Sequence, residues 1–239
     1  NILGVALGVA VFLQNPRDTV NRLFAVMILF MLTWVNFAYI PRIIGHENAV
    51  LALVLLKIAW FATPPFFTFL YFLATFLTGS QYKYRPLHFT IGILGLGIGF
   101  LTGFTNLVVE SLGFREGAVR INYGDAMWPF LGIMTLIIVS TIFITYRGYF
   151  GLPQNRKLQL QYFIAGLSIF YVANLIFNIS LPIFFDIVRW YWIGDYSTII
   201  VLGLTAYAIV KSELFGIRVV LTSLLVALII LLLAVDTII

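Results

Sequence analysis

Hydrophobic residues run along this chain in long blocks broken by short polar patches, without the strict alternation of a β-strand. The blocks fall near residues 2–13, 23–41, 49–79, 87–105, 127–146, 160–185, 197–212 and 219–239. Most have the length of a bilayer-crossing helix, although 2–13 is too short to cross by itself. The pattern predicts an all-α fold: a polytopic transmembrane bundle with seven helices over 1–218 and an eighth over 219–239. A closed barrel would need alternating polar and apolar positions, which these blocks lack. The chain begins at Asn1 without a methionine and stops inside the last block at Ile239, so it reads as part of a longer protein.

Turn chemistry places several boundaries. Asn15-Pro16-Arg17-Asp18 reads as a helix start, with Asn15 as N-cap, Pro16 in the first position and Asp18 in the first turn. Pro64-Pro65 lies midway along the third block and predicts a kink whose freed carbonyls face neighbours or water. Gly95, Gly99 and Gly103 recur every fourth residue and form a small face for close helix contact. The stretch 106–126 is the longest connection and predicts a hairpin or lid over one end of the bundle.

Composition agrees with the pattern. Hydrophobic residues make up 62% and charged residues 10%, with a mean hydropathy of +1.06. Soluble domains carry nearer 25% charge. There is no cysteine, which excludes disulfides, thiolate metal sites and thiol catalysis. His46 and His88 lie at separate segment ends and make a poor metal or haem pair. The net charge of +5 belongs to basic loops at a membrane surface and calls for no nucleic acid.

The loops orient the bundle. One set of ends carries Arg17, Arg22, Lys83, Arg85, Arg147, Arg156, Lys157, Lys211 and Arg218, and the opposite set only Arg42, Arg115, Arg120 and Arg189. The positive-inside rule puts the first set in the cytoplasm of a plasma (inner) membrane and the N-terminus outside. Between the last two blocks lies a charged elbow containing Lys211, Glu213, Phe215, Gly216 and Arg218, on the cytoplasmic side. The eighth block then returns outward, so a cytoplasmic domain beyond it needs a further crossing.

Polar groups within the blocks are costly in lipid and mark candidate sites. Counted by helical rise, Asn36, Lys57, Asn178 and Thr205 lie on the order of 9–12 Å below the outer surface. Asn174 lies a turn deeper than Asn178, with Tyr171 on the same stripe, and Trp34, Tyr39, Trp60 and Tyr207 join the belt. One reading is an outward-opening ligand pocket among blocks two, three, six and seven, lined by Asn36, Lys57, Trp60, Asn174, Asn178, Thr205 and Tyr207. The other is interhelical hydrogen bonding, with Lys57 snorkelling or paired to an outer carboxylate. No phosphate loop, HExxH, GxSxG or metal-spaced cluster is present, so neither catalytic residues nor a cofactor is expected.

Four stretches together resemble the N-terminal seven-helix sensor region of bacterial histidine kinases. They are Asn15-Pro16 with Asn21-Arg22-Leu23-Phe24-Ala25; the aromatic run Trp60–Gly79; Asn155-Arg156-Lys157 through Tyr162, with Gly166, Asn174, Asn178 and Pro182; and Tyr207–Lys211 with Leu214-Phe215-Gly216-Ile217-Arg218. Two extra residues lengthen the first motif, and Gly216 stands where the family usually has aspartate. The resemblance implies a homodimeric sensory input module in the bilayer. It would receive a small-molecule or lipid ligand and pass the signal to the chain's own C-terminal kinase domain, outside these residues. The alternative class is a small-solute transporter or channel, favoured by the prolines that interrupt blocks three and six.

Overall fold

In a computed structural model the chain is described over residues 2–45, 47–115 and 118–185, and singly at 187, 190, 193, 194, 197, 200 and 204. Apart from Ser197, Ile200 and Leu204, the seventh and eighth blocks, with Thr205, Tyr207 and the elbow residues Lys211, Glu213, Phe215, Gly216 and Arg218, lie outside the described residues. Antiparallel helices follow one another: α1 (Ile2–Gln14), α2 (Thr19–Ile44), α3 (Ala49–Leu77), α4 (Arg85–Phe104), α5 (Met127–Tyr149) and α6 (Gln154–Asn174). A π-helical turn (Leu175–Ser180) and the short α7 (Leu181–Phe185) continue α6. Among the described residues, five helices are long and apolar enough to cross a membrane, which makes this a multi-pass membrane protein.

The start of α2 differs from the sequence expectation. Asp18, not Asn15, is the N-cap, and its side chain accepts a hydrogen bond from the Val20 amide at 3.4 Å. Asn15 instead accepts from the Arg17 amide, forming a turn that holds Pro16 outside the helix. Asp18 wins because the chain must first turn between α1 and α2. The next turn of α2 secures this loop: Arg22 Nε donates to Pro16 O at 2.6 Å, and Arg22 Nη2 to Arg17 O at 3.0 Å. The Asn-Pro and Asn-Arg pieces of the motif are thus two halves of one clasp, a role that local capping rules do not reveal.

α3 is the central element. Of its membrane span 44% is buried, against 22–39% for the other four. It passes through Pro64-Pro65 without a break in its helical assignment. Each proline lacks an N–H, which frees the carbonyls of Trp60 and Phe61. The Thr102 hydroxyl of α4 lies 3.3 Å from Trp60 O, its single proton shared with Ile98 O and Gly99 O in its own helix. Phe61 O faces Gly99: a methyl group added there would lie 3.1 Å from it and 3.0 Å from Pro65 Cδ.

The glycine face of α4 lies along the same stretch. A methyl at Gly103 would meet Phe61 Cβ at 2.8 Å, and one at Gly95 would overlap the Thr68 hydroxyl. Thr68 in turn donates to Pro64 O at 2.8 Å. Without a hydrophobic drive between helices in lipid, such close backbone approach supplies the contact energy. Gly97, on the opposite face, has open space around it.

At the far end, α3 closes in a Schellman motif. Gly79 adopts φ +68°, the Ser80 amide reaches Thr75 O at 2.7 Å and the Gly79 amide reaches Phe76 O at 3.2 Å. His88 of α4 joins this end to Tyr71, whose hydroxyl is 2.7 Å from Nδ1, while Nε2 is 3.2 Å from Ser80 O. A carbonyl only accepts, so Nε2 carries the proton and Nδ1 is free to accept from the Tyr71 hydroxyl.

This packing makes Gly95 and Gly97 a matched test. Gly95→Ala is expected to cost about 1–3 kcal/mol through overpacking at Thr68. Gly97→Ala should be neutral or stabilising by up to about 1 kcal/mol, since a helical glycine is replaced at an open position. Thermal unfolding in detergent, followed by circular dichroism, reads both. Equal midpoints for the two variants would refute a tight α3–α4 seam. Thr102→Val, which keeps shape but removes the donor to Trp60 O, is expected to cost about 1–2 kcal/mol in the same measurement.

Candidate functional site

Four helices and a hairpin line a partly open cavity of about 110 Å³ at the end of the bundle where α2 and α6 finish and α3 and α5 begin. Each helix contributes one stripe at helical spacing. α2 gives Trp34, Ala38 and Pro41; α3 gives Leu56, Trp60, Thr63 and Phe67; α5 gives Phe130, Leu131, Met134 and Thr135. α6 and its π turn give Tyr171, Asn174, Leu175, Asn178 and Ile179.

The aromatic rings hold one another in place by edge contacts. Trp34 meets Phe170 at 5.4 Å between centroids, and Phe67 meets Tyr171 at 5.9 Å. Trp60 lies between Phe130 at 5.3 Å and Tyr123 at 5.9 Å. Such pairs add about 0.5–1.5 kcal/mol each beyond area burial and keep the ring faces fixed.

The hairpin expected over 106–126 is present. Strands β1 (Val109–Arg115) and β2 (Ala118–Tyr123) pair antiparallel, with Leu112 opposite Ile121. Ile121 and Tyr123, two apart on β2, both turn toward the bundle, and Ile121 reaches the cavity wall. On β1 the apolar positions Val109 and Leu112 are three apart, which strict alternation would split between faces. An irregularity in the register between Val109 and Ser111 resolves this, and Glu110 stays exposed. The base of the hairpin is closed by the Ala126 amide on Leu107 O at 2.8 Å and the Gly124 amide on Val108 O at 3.0 Å. A methyl at Gly124 would lie 2.5 Å from Leu107 O, so only glycine fits there.

The asparagines form a structural network along one wall. Asn174 Nδ2 lies 2.9 Å from Phe170 O, 3.1 Å from Gly194 O and 3.1 Å from Ser197 Oγ. Its Oδ1 accepts from Asn178 Nδ2 at 2.7 Å. Gly194 makes room for this pair, since a methyl there would lie 2.5 Å from Asn178 Oδ1. The π turn begins directly after Asn174, and Pro182, which has no N–H to offer Asn178 O, lies two residues beyond its last residue, Ser180. Tyr171 completes the wall, beside the Thr135 side chain of α5.

The structure therefore brings together Trp60, Asn174 and Asn178 from the expected set, with Trp34 and Tyr171 from the wider belt. Lys57 is not a lining residue. Its Nζ donates to Asn106 Oδ1, at the chain's exit from α4 toward the hairpin, so its partner is an amide and not a carboxylate. Asn36 lies off the Trp34 stripe and donates from Nδ2 to Leu32 O at 2.8 Å, one turn back in its own helix. Thr205 and Tyr207 fall outside the described residues. α5 is the wall that sequence reasoning missed, because its contribution is apolar apart from Thr135 and carries no intramembrane polar signal. Thr63 and Phe67 were legible in principle, as they continue the Trp60 stripe by three and seven residues.

No group of three or more histidine, cysteine, aspartate or glutamate side chains that could hold a metal occurs among the described residues. No described lining residue carries a formal charge. No family model matches the chain, and no curated protein or solved structure matches it.

The asparagine wall predicts coupled energetics. Asn174→Leu is expected to cost about 1–2 kcal/mol, because it leaves the Gly194 carbonyl with the Ser197 hydroxyl as its one remaining described donor and removes the acceptor of Asn178. Combined with Ser197→Ala, a double-mutant cycle in detergent should return a coupling of about 0.5 kcal/mol or more. Strict additivity would mean that the two side chains do not act together.

Proposed function

We propose that the chain is the membrane-embedded input domain of a two-component sensor histidine kinase. The observation that carries this reading is the cavity: a small, aromatic, uncharged chamber under a β-hairpin, walled on one side by a π turn. A pocket of this kind suits recognition of a ligand more than passage of one. π turns are rare and concentrate at functional positions, because a local return to α geometry re-registers every residue beyond them. Occupancy of the cavity would bias two packings of α6 and its continuation. The bias would pass through the seventh helix to the cytoplasmic elbow around Lys211 and Arg218, and on to a kinase in a homodimer. The motif resemblance supports the kinase assignment, and the basic loops support an inner membrane with the N-terminus outside.

The transporter reading draws on the proline-interrupted α3 and on the π turn before Pro182. It is weakened where it should be strongest. The carbonyls freed by Pro64 and Pro65 face Thr102 and Gly99 and are closed off from a solute path.

The test uses the protein expressed from its whole gene and reconstituted in lipid vesicles. Radiolabelled ATP should place phosphate on a histidine, and Met134→Trp, which fills the cavity, should change that rate about fivefold or more in either direction. Absence of phosphorylation, accompanied by solute uptake into the same vesicles, would overturn the sensor reading in favour of transport.

A further inference from the structure

We infer that the cavity takes an uncharged, flat, single-ring molecule bearing a hydrogen-bond acceptor, such as a ring carbonyl compound. This rests on the reading of the cavity as the input site and specifies what enters it. Size comes first. An interior of about 110 Å³ is of the same order as the engineered apolar cavity of about 150 Å³ that accepts benzene, which is room for one ring and not for a fused polycycle or a peptide. Charge comes second. The described lining offers neither cation nor carboxylate to a charged ligand, and Lys57, the cation expected at this depth, is engaged with Asn106 and is not a lining residue. Burying an unpaired charge there would be prohibitive.

Shape and polarity follow from the side chains. Trp34, Trp60, Phe67, Phe130 and Tyr171 present ring surface from four different helices, and stacking or edge contact favours a flat guest. Most lining polar hydrogens are already committed. Asn174 and Asn178 donate into their own network, Thr63 donates to Ala59 O at 3.1 Å, and the Thr135 and Tyr171 side chains lie beside each other on the wall. The exceptions are the indole N–H groups of Trp34 and Trp60, neither of which makes a hydrogen bond to a described residue. An N–H at membrane depth gains from an acceptor, and a ligand oxygen would supply one. A donor-only or purely hydrocarbon guest would leave both indoles as they are.

Isothermal titration of the whole protein in lipid nanodiscs, against empty nanodiscs, tests this with three isosteric probes. Acetophenone is expected to bind, α-methylstyrene about tenfold more weakly for want of the acceptor, and benzoate not detectably. The double variant Trp34→Phe/Trp60→Phe keeps an aromatic ring at each position and removes both donors, so in it acetophenone should bind no better than α-methylstyrene. Met134→Trp should abolish binding of all three. Equal affinity for α-methylstyrene and acetophenone, tighter binding of benzoate, or no binding by any probe would each overturn the inference. The sensor reading fails separately. If acetophenone binds in this pattern while phosphorylation is indifferent to Met134→Trp, the ligand class stands and the signalling role falls. If phosphorylation responds to Met134→Trp while no probe binds, the reverse holds.

Discussion

The structure depends on one contact, the seam where the glycine face of α4 lies against the Pro64-Pro65 turn of α3. Two prolines in a membrane helix leave two carbonyls without their helical donors, and lipid offers no water to satisfy them. The seam covers both: Thr102 meets Trp60 O, and Gly99 lets the backbone of α4 come up against Phe61 O. Close approach is possible only because Gly95, Gly99 and Gly103 carry no side chain at the interface. The prolines and the glycines are therefore complementary halves of one device, although they lie in different helices.

That seam also positions the cavity. Trp60 is both the residue whose carbonyl is freed and the residue whose ring forms the floor between Phe130 and Tyr123. Its backbone is held toward α4 while its side chain is held toward α5 and the hairpin. The α2 clasp, in which Arg22 grips the carbonyls of Pro16 and Arg17, fixes the other end of the neighbouring helix. Among the described helices that line the cavity, α6 is the one whose regular geometry is interrupted, by the π turn over Leu175–Ser180.

Much was legible from residue order alone. The apolar blocks fixed the spans of α3, α4 and α5 to within a few residues, because lipid imposes both length and helicity on any crossing segment. The small-residue spacing in α4 marked a packing face, and the loop at 106–126 declared itself by its polarity. The asparagine pair was found because polar groups are expensive in a membrane. The N-cap of α2 was misplaced by three residues, since Asn15 and Asp18 are equally good caps locally and only the approach of α1 decides between them. The register irregularity that turns Val109 and Leu112 to one face was invisible too, because strand alternation by itself predicts the wrong face for one of them.

Sequence by itself determined that this chain is a multi-pass helical membrane protein, where the five long apolar helices among the described residues lie, and which polar side chains must find partners. It did so because hydrocarbon penalises every unsatisfied polar group, so composition and periodicity translate directly into spans. Only the tertiary structure decided where those partners are: that Lys57 turns to Asn106, that Asn174 reaches Gly194 and Ser197, and that apolar α5 closes a chamber with Trp34 and Trp60. Partner choice depends on which faces meet across distances of tens of residues, and hydrophobic blocks of similar composition carry almost no record of their neighbours.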